Sequence, residues 1–399
     1  MVESAKYVSS DPTKYNKNGK CEIRTCSASV IFHVINIRTD IEFVFSAGGF
    51  HTPCVLKTTL PFKFSNPNAP LYGHLSSIDS SATSMRLTWI SGDKKPQQVI
   101  YGNGKSQISQ VTTFSQDDMC GSTFIPSPAK DFGWHDPGYV HTAIITGLQP
   151  STIFNYKYGS DAVGRSDEIE FRTLPARGSD ELKFLVFGDM GKAPLDAAIE
   201  HYIQPGSLSV VKAMVEEMRN GSLDSIFHIG DISYATGFLV EWEYFLHLIT
   251  PLASKVSYMT AIGNHERDYA GSGSRYTYFP MPTAAKDKPW YAIEHGSVHF
   301  TVISTEHDWT QNSEQYKWMR KDMESVDRSK TPWHRPMYSS YNSLITVDAT
   351  FRNVVEPVLL ANKVDLVLFG HVHNYERTCS IFKSECWAMP RKDENGTDT

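Results

Sequence analysis

The chain has no apolar run of about 18 residues or more, so no segment reads as a membrane span. It has no surplus of positive charge: 38 Lys and Arg stand against 44 Asp and Glu, a net charge of -6 that argues against a nucleic acid polymer as partner. Its six cysteines form no CxxC pair, and their scatter over Cys21, Cys26, Cys54, Cys120, Cys379 and Cys386 argues against a zinc ribbon. Disulfides stay open, since Cys379 and Cys386 can close a short loop and Cys21, Cys26 and Cys54 are near one another in sequence. No internal repeat or low-complexity tract is present, and the start, MVESAKYVSS, lacks the basic-then-apolar pattern of a signal peptide. Two sequons, Asn220-Gly-Ser and Asn395-Gly-Thr, permit glycosylation if the chain is secreted.

What is present is an ordinary globular composition, 40% hydrophobic and 21% charged over 399 residues. At about 150 residues per domain that length suggests two or three domains. The first region, to about Leu71, mixes polar residues with runs such as SVIFHVINI and reads as β-structure of uncertain completeness. From Tyr72 to Pro175 short alternating runs (SMRLTWIS, QQVIYGN, YVHTAIITGL, FNYKYGS, EIEFRTLP) are separated by turns without helical periodicity, which predicts a β-sandwich. After ARGSD, apolar runs alternate with helix-compatible segments such as VVKAMVEEMRNG and SEQYKWMRKDMESV, the pattern of a layered α/β domain.

Four of these later runs end in potential metal ligands. KFLVFGDMG supplies Asp189, SIFHIGDISY supplies Asp231 and Tyr234, YMTAIGNHE supplies Asn264 and His265, and LVLFGHVH supplies His371 and His373. Taken singly each is weak, because Asp after a strand is more often a cap or turn residue. Taken together they converge, because the carboxyl ends of strands in open α/β sheets line one crevice. Carboxylate, phenolate and imidazole suit a hard ion such as Fe(III), while imidazole, amide oxygen and carboxylate suit a divalent ion such as Zn, Fe or Mn. Two such ions about 3.5–4 Å apart can share a carboxylate, acidify a water and clamp a phosphate. His228, inside SIFHIGD, and Trp89 read as core residues, and Tyr375, Glu376 and Arg377 as loop residues at least as readily as pocket residues. Glu266 reads as a supporting or surface group. Glu306, His307 and Asp308 look like a ligand cluster only on paper.

GDMG, GDISY, GNHE and GHVH, in this order and spacing, resemble the signature blocks of the purple acid phosphatases, within the dinuclear metallophosphatase superfamily. YVHTAIITGLQPSTIFNYKYG and WIS resemble the fibronectin-III-like domain of the plant members, and STEHDW, HRPMYSS and GHVHNYERTC resemble the long plant forms. The resemblance implies a β-sandwich (fibronectin-III-like) followed by a two-sheet metallophosphatase α/β domain. The implied divisions are an N-terminal β-rich region at 1–71, the sandwich at 72–175 and the metallophosphatase domain at 181–399. It implies Fe(III) on Asp189, Asp231, Tyr234 and His373, a divalent ion on Asp231, Asn264, His334 and His371, and His265 as the group that bonds phosphate and protonates the leaving oxygen. It further implies a small phosphorylated substrate at acidic pH, a phosphate monoester or a nucleotide pyrophosphate or phosphodiester bond. A secreted, extracellular or vacuolar location follows from it, no membrane partner is implied, and a homodimer is allowed.

One block departs from the pattern. In KTPWHRPMYSS, Lys330 to Ser340, the Thr-Pro-Trp turn runs directly into His334, with no hydrophobic strand between. About five residues, or roughly 16 Å of strand, are missing, so His334 is not expected to reach the crevice unless neighbouring segments rearrange. The further histidines that the family carries after this block are absent, and the chain ends soon after His373. An incomplete or alternatively spliced product is the simplest expectation. The rival readings are a metal-binding pseudoenzyme that keeps the fold, and an adhesion module built on the sandwich, which leaves the strand-end ligands unexplained.

Overall fold

The structure is a computed structural model, and residues 4–5, 30–47, 52–119, 134–196, 198–199, 202–221, 223–266, 278–285, 288–325, 330–332, 334–341 and 347–389 are described. Cys21, Cys26, Cys120 and the sequon Asn395 lie outside them. Among the described residues no helix is long and apolar enough to cross a membrane.

The β-sandwich expected from the alternating runs is present. One face is an antiparallel sheet of Leu71–Ser77, Ser84–Ser91, Tyr139–Thr146 and Gln110–Thr112, and the other is built on Ile153–Ser160 and Gln98–Tyr101. Strand residues alternate between faces, so the inward set of both sheets meets in one core: Leu87, Trp89, Val99, Ile145, Tyr156 and Phe171 are buried there. Trp89 is the buried core residue its surroundings suggested, its indole N–H donating to Gln97 Oε1 at 2.8 Å.

The second half is a two-sheet α/β domain. Parallel strands Phe184–Phe187, Ser225–Ile229 and Ser257–Ala261 form one sheet; Tyr291–His295, Val298–Val302, Lys330–Pro332 and Leu366–Leu368 form the other. Phe227, Ile229, Met259, Ile293, Phe300 and Val302 fill the space between the sheets, with Phe227 and Phe300 stacked at 4.1 Å. Helices cover the outer faces. Ser207–Arg219 and Leu239–Ala253 pack on the first sheet, while Glu314–Glu324 and Ala349–Ala361 pack on the second. The last two start at side-chain caps: Ser313 accepts from Tyr316 N and Asp348 from Thr350 N and Phe351 N.

The two halves share a sheet. Ser257 pairs with Leu75, so the parallel strands of the α/β domain continue into the sandwich. A buried ion cluster adds a second joint: Glu243, on the helix Leu239–Ala253, bonds Arg38 from the N-terminal region and, at 3.1 Å, His135 from the sandwich. Cys379 and Cys386 form a disulfide that closes the hairpin of Ser380–Phe382 and Glu385–Ala388, while Cys54 is exposed and free.

The structure corrects the expectation for His334. The turn residues themselves become the strand: Lys330–Pro332 pairs in parallel with Leu366–Leu368 and, at Phe300↔Lys330, with Val298–Val302. A ladder needs backbone N–H and C=O groups rather than apolar side chains, and Pro332, which has no N–H to give, is the strand's last residue. The slot between two strands with unpaired edges is thereby filled, and His334 is fully buried within reach of the crevice.

Candidate metal centre

Each ligand candidate stands where a parallel strand has just ended, and glycine precedes four of them for lack of room. A Cβ on Gly263 would collide with the Asp231 carboxylate and the His334 ring, and one on Gly370 with the Asp189 carboxylate. The backbone then turns sharply. Asp189, Asp231, Tyr234 and His371 all take positive φ, at 58°, 46°, 54° and 72°. For residues with a Cβ this conformation costs about 1–2 kcal/mol each. Bonds that run between loops hold it: Asp189 N donates to Gly230 O at 3.1 Å, Gly191 N to Ile232 O at 3.1 Å, and His371 N to Asp189 Oδ2 at 2.7 Å.

The structure brings all eight candidates into one cluster. Asp231, His334 and His371 form one group of donor atoms mutually within 4.8 Å, and Asp189, Asp231 and His373 form another, so Asp231 belongs to both. Tyr234 extends the second group, its hydroxyl 2.8 Å from His373 Nε2 and 3.3 Å from Asp189 Oδ1. Asn264 extends the first, with Oδ1 3.4 Å from His334 Nε2. His265 N donates to Asp231 Oδ1 at 3.0 Å, and its ring lies against that of Tyr234 at 4.4 Å. This donor set fits two ions bridged by one carboxylate: oxygen-rich with a phenol on one side, imidazole-rich with an amide on the other.

The electrostatics of the protein alone show the same demand for positive charge. Burial opposes a charge on His334, yet Asp231 at 3.3 Å, with Asp189 and Glu266 nearby, raises its pKa to about 9. Asp231 is held well below the usual carboxylate range: its burial acts the other way, and His334 and His265 overcome it. Burial and the nearby carboxylates push the Tyr234 phenol far up, so that a cation must be present for it to act as a phenolate. His373, bonded to Asp189, is raised, and His371, buried beside His334 and Arg335, is lowered.

Of the two readings open for Glu266 the structure takes the supporting one, while Lys192 and Tyr202 were not legible as supporting residues. Glu266 is buried rather than a surface group: its two oxygens accept from Ile232 N and Gly263 N, both at 2.8 Å, and clamp the GDISY loop to the GNHE loop. Burial, then the charge of Asp231, raises its pKa to about 8. Lys192, directly after GDMG, forms a buried ion pair with Glu241 on the helix that follows GDISY. Tyr202 stacks on Tyr234 with ring centres 4.8 Å apart and planes within 10°. Position in a glycine-flanked loop is the only sequence signal for these, because none lies in an element with a readable period. His228 is a core histidine, 3.0 Å from the Tyr258 hydroxyl. Glu306 pairs with Arg335, Asp308 caps Thr310 and Tyr375 is exposed, so none of these three joins the donor groups.

Family comparisons match this architecture piece by piece. An Fn3-like domain from purple acid phosphatase matches residues 2–66, the purple acid phosphatase N-terminal domain matches 70–173, and the calcineurin-like phosphoesterase family matches 182–375. The "Probable inactive purple acid phosphatase 27" of Arabidopsis thaliana is 34% identical over 99% of this chain and 70% of its own length. The chain belongs to the purple acid phosphatase family. A second Arabidopsis relative, "Probable inactive purple acid phosphatase 24", is 33% identical over 99% of this chain and 69% of its own. The purple acid phosphatase PPD1 from yellow lupin (Lupinus luteus) seeds superposes with a TM-score of 0.83 at 32% identity, covering 90% of this chain and 68% of that one. The purple acid phosphatase fold, an Fn3-like part followed by a metallophosphatase domain, is therefore that of this chain, and the family is one of dinuclear metal phosphatases acting on small phosphorylated substrates.

Proposed function

We propose that this chain hydrolyses phosphate monoesters at acidic pH. In this reading Asp189, Asp231, Tyr234 and His373 hold Fe(III), and Asp231, Asn264, His334 and His371 hold a divalent ion, Zn, Fe or Mn. The observation that carries it is the presence of Asp231 in both donor groups. When bound, the two ions would polarise the phosphoryl oxygens and acidify a water at the low pH where carboxylates stay ionised. The chain's own residues do the rest. Asp231 and Asp189, pinned by backbone N–H groups of His265 and His371, fix the orientation of the donors. His265, held over the shared carboxylate with Nε2 3.9 Å from Asp231 Oδ2, stands where it can bond a phosphoryl oxygen and pass a proton to the leaving oxygen. The same geometry admits nucleotide pyrophosphate or phosphodiester bonds.

A metal-binding pseudoenzyme is the second reading. The three-residue strand beneath His334 favours it, and so do the names of the two Arabidopsis relatives. Iron and zinc analysis coupled to an acid phosphatase assay separates the two. Two metals per chain with turnover support the hydrolase; one metal or none, without turnover, supports the pseudoenzyme. Tyr234→Phe is expected to abolish the visible phenolate-to-iron band of the iron-loaded protein, and an unchanged band removes Tyr234 from the ligand set. We also infer a secreted or vacuolar location, in line with the Cys379–Cys386 disulfide, because such bonds persist in oxidising compartments. Recovery of the chain from cytosol with both thiols reduced would overturn that.

A further inference from the structure

Next to His334 the structure has a cavity of about 340 Å³, lined by Thr305, Glu306, His307, Trp309, Arg335 and Asp348. That is near the lower end of the roughly 300–1,000 Å³ of small-molecule sites, room for one small group. It adjoins the divalent half of the centre, because Arg335, on its wall, directly follows His334 in the chain.

The lining selects by charge. Arg335, the only Lys or Arg among these residues, is matched by Glu306, with Nε to Oε1 at 2.6 Å and Nη2 to Oε2 at 3.2 Å, a bidentate pair. Asp348 adds a second carboxylate, itself held by Thr350 N and Phe351 N. On the wall away from the centre, an anionic group would therefore meet one further carboxylate, the exposed Asp348, that no Lys or Arg of the lining matches. Hydroxyl groups would find acceptors in the two carboxylates and in the Thr305 oxygen, whose own proton goes to Glu306 Oε1 at 3.0 Å, beside a His307 ring held by Ser304 Oγ at 2.9 Å. Trp309, packed edge-on against Phe351 at 5.2 Å, supplies an apolar wall for the carbon skeleton between those hydroxyls.

We propose that this cavity takes the leaving group of the substrate, and that the group it fits is a neutral polyhydroxyl of sugar size rather than an anionic one. This rests on the phosphoester reading of the centre, and the test keeps the two apart. Binding of inorganic phosphate and of the non-hydrolysable methylene-phosphonate analogues of ribose 5-phosphate and 3-phosphoglycerate, named below by their parent esters, to the metal-loaded full chain is measured by calorimetry. Ribose 5-phosphate is expected to bind about tenfold tighter than phosphate, and 3-phosphoglycerate no tighter than phosphate. His307→Ala removes the advantage of ribose 5-phosphate and leaves phosphate unchanged. Glu306→Gln, which releases the charge of Arg335, raises affinity for 3-phosphoglycerate about tenfold. Equal binding of phosphate and ribose 5-phosphate, or a preference of the unaltered chain for 3-phosphoglycerate, overturns the proposal. If phosphate does not bind at all, the reading of the centre fails, and tryptophan fluorescence titrated with free ribose decides the cavity. Quenching that His307→Ala abolishes supports the sugar site, and no response overturns it.

Discussion

The two sheets that meet at the metal centre are built to different standards. Ser225–Ile229 and Ser257–Ala261 are buried from end to end and pair in full five-residue register, and the ligands they lead into, Asp231 and Asn264, sit in loops clamped together by Glu266. The second sheet leads into its ligands from its two three-residue strands, Lys330–Pro332 and Leu366–Leu368. Leu366–Leu368 is partly exposed, and His373 beyond it has a side chain 48% exposed against 2% for Asp231. Pairing along a strand and burial on both faces are what fix a loop at its end. The first sheet therefore pre-forms its share of the centre, and the second completes the centre from a weaker base.

The largest effect that would break this comparison is expected at the shared residue. Asp231→Asn should take the chain from two bound ions to none, because removing even a supporting partner of a ligand costs about 10–100-fold in affinity. His334→Ala should cost only the divalent ion and leave the iron on Asp189, Asp231, Tyr234 and His373. Metal analysis after dialysis reads both, and an Asp231→Asn chain that keeps one tight ion would mean the centre is not bridged there.

His295 lies between the sheets, its Nδ1 3.2 Å from Ser225 Oγ, and burial lowers its pKa to about 3. The folded chain therefore keeps it neutral while the unfolded chain protonates it near pH 6.5. Stability from this group is full above that value and is lost as pH falls toward 3, on the order of 3 kcal/mol by pH 4. His295→Gln should flatten the acid limb of a denaturation series on the metal-free chain, and parallel slopes for the two proteins would refute this. Next in size comes Glu266→Gln. An amide offers one oxygen where the carboxylate gave two, so one buried N–H, of Ile232 or Gly263, loses its partner at a cost of about 2 kcal/mol in denaturant titrations. A cost near zero would show that the two loops do not depend on the clamp.

The sequence carried the first sheet in full and the second except for the strand Lys330–Pro332, for physical reasons. Apolar runs ending in Gly-Asp and Gly-Asn are readable because burial on both faces imposes composition and tight approach of the ligands imposes glycine. Fold and family followed from those blocks and from the alternation of the sandwich. The strand Lys330–Pro332 was not readable, since backbone pairing leaves no mark in hydropathy. Glu266 stayed open between a supporting and a surface group because its partners are backbone groups contributed by two separate loops. The Arg38–Glu243–His135 cluster joins residues more than 100 positions apart, and one chain offers no way to pair them.

The short strand gives the smallest and most discriminating prediction. Lys330–Pro332 meets Val298–Val302 at one residue pair, although that neighbour is five residues long. Inserting about five apolar residues between Trp333 and His334 would add about 16 Å of strand, enough to pair the neighbour along its length. If the second sheet limits the centre, the longer chain should hold its divalent ion about tenfold more tightly and should slow amide exchange across Leu366–Leu368, with a smaller gain for iron, of whose four proposed ligands only His373 follows that sheet. Tighter iron with an unchanged divalent ion would place the weakness in the first sheet instead. No change in either would mean that three residues already suffice to hold His334, and that the difference between the sheets is one of fold alone.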